Sequence, residues 1–128
     1  MLKVTYTESG LHLEQVHESL EAWIARRTVL ALRTSQRLVI EHICASVLLA
    51  ADLHELSDLE RAACLEEAGT LTLSVCDVGY VEASIQGIWL MAGSEDEGVF
   101  VAVLKPRTEQ MLLHLWQMSQ CLAFPIWR

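Results

Sequence analysis

The sequence predicts an α+β protein: an antiparallel sheet, made of an opening hairpin and a three-stranded meander, packed against two or three helices. Three observations carry this. Thr70–Leu104 reads as TLTLSVC, DVG, YVEASIQGIWLMAG, SEDEG and VFVAVL, three strand-like runs separated by two turn-like ones. Within it Val81, Ala83, Ile85, Gly87 and Trp89 alternate with Glu82, Ser84 and Gln86, and period two marks a half-buried strand. Outside it, capped segments with apolar residues three and four apart begin near Ser19 and Thr108.

Leu2–Thr7 and Leu11–Val16, joined through Glu8-Ser9-Gly10, form the predicted opening hairpin. Ser19 caps the next segment, with Glu18 and Glu21 near its start and Arg26 and Arg27 further on, the charge order that a helix dipole favours. Leu20, Trp23, Ile24, Leu30 and Ala31 then share a face. Thr28–Arg33 fits either the end of this helix or the first arm of a hairpin with Arg37–Ile43, and we extend the helix to about Thr34. Arg37–Ile43 and Ala45–Ala50 read as two strands or one bent strand.

Ser57-Asp58-Leu59-Glu60 matches a capping box and Gly69 suits the residue after a helix end, which predicts a short helix over 57–68. Glu66 and Glu67 would then sit at the unfavourable end of its dipole. In the meander, Asp77-Val78-Gly79 suits a tight hairpin loop, and the charged stretch 94–97 suits a solvated tip. From Ile88 the alternation fails, and Val99–Leu104 is apolar at every position, as in a strand covered on both sides. Trp89 is expected in the core. Pro106 ends strand pairing, and Thr108 is placed to cap a last helix with Met111, Leu112, Leu115, Trp116 and Met118 facing inward.

At 128 residues the chain has the length of one domain (1–128), able to bury a core without disulfide or metal. Its 17 acidic against nine basic residues give a net charge of -8, which argues against nucleic acid and against an anionic membrane as partners. No apolar run approaches the roughly 18 residues of a membrane span, and MLKVTYTE lacks a signal-peptide core, so the expected location is the cytoplasm. Cys44, Cys64, Cys76 and Cys121 stand singly and are expected to be reduced, mostly buried thiols.

The elbow, phosphate-loop, dinucleotide and H-E-x-x-H patterns are absent, and the five histidines are scattered, so no metal or other cofactor is expected. Asp52, His54, Glu55, Asp58 and Glu60 are read as a solvated helix entrance rather than cation ligands. Glu41 and His42 would point to opposite faces of a strand. Glu82, Ser84 and Gln86 share a face and serve a wet side or a polar pocket.

Two features point beyond a bland domain. Arg26, Arg27, Arg33 and Arg37 lie within one short stretch, without an acid between them, in a chain holding two lysines. Planar, bidentate arginines suit a carboxylate or phosphate, although cations closing a helix and pairing with surplus acids explain the same run. Phe124, Ile126 and Trp127 form an apolar cluster that needs a cover. With an apolar fraction of 52% and the doubly apolar strand, this cluster favours a non-enzymatic interaction module, a homodimer or small oligomer that binds another protein in the manner of an adaptor or chaperone. The alternative is a small anionic-ligand-binding domain or enzyme with a pocket between sheet and helix.

Overall fold

A computed structural model describes residues 1–7, 10–92 and 98–123. The chain runs β1 (Leu2–Thr7), β2 (Gly10–Gln15), α1 (Leu20–Arg33), β3 (Leu38–Ala50), α2 (Leu56–Cys64), β4 (Leu71–Asp77), β5 (Tyr80–Ala92), β6 (Gly98–Ala102) and α3 (Pro106–Ala123). The six strands form one antiparallel sheet in the order β2-β1-β6-β5-β3, with β4 also paired to β5, and three helices complete the α+β fold. Spatial contacts divide the chain into two compact units, Met1–Ile43 with Gly87–Val103, and Cys44–Gln86 with Leu104–Arg128.

In the first unit the opening hairpin pairs Leu2 with Gln15 through Thr7 with Gly10, and β1 then joins β6 through Leu2 with Ala102 and Val4 with Phe100. The Met1 amino group donates to the Val16 carbonyl at 3.2 Å, and Val16 N returns a bond to Met1 O at 2.8 Å. Trp23 of α1 packs with Ile88, Leu90, Val99 and Val101 to make the core, with Leu20, Ile24 and Leu38 against it.

Local chemistry decides that α1 continues through Thr28. The Ser19 hydroxyl accepts from Ala22 N at 3.2 Å at the start. The Thr28 hydroxyl donates to the Ile24 carbonyl at 2.8 Å, a back-bond that lets a β-branched residue sit inside a helix. At the far end Ser35 takes φ 58°, and Gln36 N donates to Ala31 O at 2.7 Å, so the chain turns there into β3, a single unbroken strand. Leu30, expected on the inner face, is exposed together with Val29 and Leu32. The covered part of α1 is the stretch around Trp23 and Ala31.

In the second unit β4 and β5 pair Leu71 with Ile85 through Val75 with Val81, and an irregularity follows before the turn. Gly79 has φ 90°, a conformation a side chain would strain, and the Asp77 carboxylate accepts from Val78 N at 2.6 Å. The core of this unit includes Val47, Leu49, Leu59, Leu71, Ala83, Ile85, Leu112 and Leu115. Ser119 ties α3 to β3: its hydroxyl accepts from Ala50 N at 2.9 Å and donates to Leu115 O at 2.8 Å.

Two predicted helix starts are displaced. α2 begins at Leu56 with Glu55 in the cap position and no side-chain cap, so Ser57 lies inside the helix. Leu53, Leu56 and Leu59 are all buried, and burying Leu56 draws the helix start ahead of the capping-box serine. The helix ends at Cys64, which leaves Glu66 and Glu67 beyond its dipole. Glu66 instead accepts from Lys105 N, at 2.5 and 3.3 Å, just ahead of α3. α3 starts at Pro106, the residue type whose missing N–H costs nothing there, so Thr108 falls within the first turn and does not cap.

Burial along β5 also departs from the sequence expectation. Ala83 and Ile85 are buried in the second unit, whereas Ile88 and Leu90 are the buried pair in the first, so the buried positions change parity at Gly87 and Trp89 is only half-buried. Val99, Phe100, Val101 and Ala102 are all buried within the single chain. The fully apolar β6 therefore needs no second molecule to cover it.

Candidate functional site

The strongest candidate surface lies in the first unit, where α1 ends and β3 begins. Thr28 and Leu32 from α1, the turn Ser35–Arg37, and Leu38 and Ile40 from β3 line a groove of ≈ 510 Å³. Leu32 is 68% exposed and Ile40 46%, and Val29, Leu30 and Ile43 of the same two elements are exposed as well. Single exposed apolar residues are ordinary, but five large ones on two consecutive elements need a reason. β3 is also the terminal strand of the sheet order, 13 residues long and free of proline and lysine. A long apolar edge strand offers its backbone groups to another strand.

The four arginines of the run divide between two places. Helical spacings of three and four bring Arg26 and Arg27 over the Trp23 ring, at 5.1 and 5.0 Å from its centroid, with Lys3 at 5.6 Å. Arg26 also pairs with Glu18 at 2.8 Å. Arg33, the last residue of α1, and Arg37, in the turn that follows, are both exposed, and Arg37 lines the groove. The run thus serves two places: Arg26 and Arg27 over the core tryptophan, and Arg37 at the apolar groove. The Trp23 indole N–H is buried without a hydrogen-bond partner among the described residues.

Phe124, Ile126 and Trp127 lie outside the described residues. Cys44, Cys64 and Cys76 are exposed, contrary to the expectation of buried thiols. Cys44 sits on the open stretch of β3, Cys64 at the end of α2 and Cys76 beside the exposed β4–β5 turn, so apolar neighbours in sequence did not translate into cover. Glu41 and His42 are both exposed. Glu82 and Ser84 are half-buried, while Gln86 is exposed with its amide against Gly69. Asp58 of the acidic group near α2 pairs with Arg61 at 2.7 Å. Among the described residues no three His, Cys, Asp or Glu side chains group as metal ligands, and no helix is long and apolar enough to cross a membrane.

Leu32, Ile40 and Ile43 are the residues that sequence reasoning missed. Their signal was present: Val29-Leu30-Ala31-Leu32 puts apolar groups on more than one face of a helix, and a helix in contact on one side leaves the others open.

The chain matches the Alr0857-like family over residues 1–120 and belongs to it. No curated protein and no solved structure matches the chain.

Proposed function

We propose that this member of the Alr0857-like family is a non-enzymatic protein-interaction module that works as a homodimer, the two copies meeting along β3. The observation that carries the reading is the terminal position of β3 beside the open groove, with Ile40, Ile43 and Leu32 exposed. A two-fold antiparallel pairing centred on Val39 sets Arg37 of each copy opposite Glu41 of the other, and Leu38 opposite Ile40. Opposite charges and apolar groups facing each other across strands both stabilise such a ladder. The pairing also continues the sheet and satisfies edge groups that water otherwise holds. Phe124, Ile126 and Trp127 are further apolar candidates for burial by the second copy.

Light scattering across a dilution series tests it. The wild type should run as a dimer, Arg37→Glu and Glu41→Arg should each shift it toward monomer, and the double variant should restore the dimer. A wild type that stays monomeric at every concentration refutes the homodimer. A dimer indifferent to both charge reversals moves the interface away from β3.

A further inference from the structure

We propose that the second unit binds a small carboxylate with a short apolar tail, in a cavity of ≈ 260 Å³ bounded by α2 and the first turn of α3. Its lining shares no residue with the groove beside β3, and the proposal does not rest on the dimer.

The cavity is apolar inside and cationic around. Ala62, Leu65 and Met111 supply carbon walls, while Arg61, Lys105 and Arg107 surround them, against one lining acid, Asp58, that is already paired to Arg61. Among the lining residues three cations stand against one carboxylate, and the nearby carboxylates of Glu66 and Glu109 are engaged by the backbone N–H groups of Lys105 and Leu104. Such a local field selects an anion.

The helix end adds directed donors. The first intrahelical bond of α3 runs from Glu109 N to Lys105 O, so the N–H groups of Arg107 and Thr108 precede it, at the positive end of the helix dipole. Protein carboxylates already take the two preceding N–H groups: Glu66 accepts from Lys105 N, and Glu109 Oε2 from Leu104 N at 3.1 Å. The fold itself thus demonstrates the ligand type this segment prefers.

Thr108 is the independent sign of a ligand. The residue is 2% exposed, it lines the cavity, and its hydroxyl has no hydrogen bond to any described residue. The hydroxyl oxygen is not fully sealed from solvent, unlike the indole nitrogen of Trp23, so it opens onto the space it lines. A buried hydroxyl with no protein partner, aimed into an apolar cavity ringed by cations, suits a ligand's anionic head, and the carbon walls suit its tail. The small volume favours a short chain over a nucleotide.

Titration of the labelled protein followed by nuclear magnetic resonance tests this, with octanoate, octylamine and acetate as probes. Octanoate should give saturable shifts at the amides of Leu65, Thr108 and Met111, acetate weaker ones at Thr108 only, and octylamine none there. Arg107→Glu keeps an acid-tolerant helix start and should weaken octanoate by about tenfold or more, the scale of a lost charge-assisted hydrogen bond. Met111→Trp should fill the cavity and abolish the shifts while the rest of the spectrum stays folded. Absence of saturation by octanoate, equal binding of octylamine, or undiminished binding by both variants would overturn the proposal.

Discussion

The indole of Trp89 lies across Gly98: a Cβ added to that glycine would fall 1.7 Å from Trp89 Cζ2. Trp89 pairs in register with Phe100, and the Phe100 ring in turn covers Gly87, whose added Cβ would meet Phe100 Cζ at 2.6 Å and the Val101 carbonyl at 2.4 Å. Each aromatic of the pair thus occupies the space left by the glycine diagonal to it, which locks β5 to β6 with a matched pair of bumps and hollows.

Gly98→Ala should therefore destabilise the protein by about 1–3 kcal/mol, the scale of an overpacked site. Trp89→Ala should cost about 3 kcal/mol, at the low end for a large aromatic because the ring is half-buried. The decisive measurement is the double variant in denaturant melts. With the ring gone, Gly98→Ala should cost nothing further, so the two effects should be strongly non-additive. Additive losses would mean that the ring and the glycine do not share this space.

Ser119→Ala should cost about 1–3 kcal/mol, because it leaves the buried Ala50 N–H without its acceptor. Thermal melts with hydrogen exchange at Ala50 check both parts. Unchanged protection of that amide would show that another group replaces the hydroxyl.

Glu109 is 1% exposed and accepts from Leu104 N. Glu109→Gln keeps an acceptor for that N–H and should be the milder change. Glu109→Leu removes it and should be worse by about 1–3 kcal/mol. Equal melting points for the two variants would assign the position to packing alone.

Removing residues 122–128 should shift the light-scattering mass from dimer toward monomer or make the protein insoluble, since Phe124, Ile126 and Trp127 each favour burial by about 1.5–3 kcal/mol. A truncated chain as soluble, stable and dimeric as the whole would remove them from the interface.

The full-length protein should not retard duplex DNA or RNA in a gel shift at physiological salt, given its net charge of -8. A retarded band abolished by Arg33→Glu and Arg37→Glu would instead identify the exposed arginines as a local nucleic-acid patch.

Local signals determined most of the elements. Alternation placed the β1–β2 hairpin and the middle strand of the meander, a continuous apolar run placed its last strand, Ser19 marked the start of α1, and Asp77-Val78-Gly79 marked a turn, because each depends on a few neighbouring residues and their backbone preferences. The stacking of Arg26 and Arg27 on Trp23 was not read from the sequence, although helical spacings of three and four carry it. Tertiary structure decided what depends on distant partners. Burial of Leu56 moved the start of α2 off its capping box, and the carboxylate of Glu66 found a use across the chain, at Lys105 N. The aromatic pair Trp89 and Phe100 required the register of β5 on β6 before either glycine made sense. Exposure was the least legible property: Leu32, Ile40 and Cys44 carry the same apolar character as core residues, and only the placement of β3 at the end of the sheet leaves that stretch without a covering element, because a side chain's cover comes from whatever the rest of the chain brings to it.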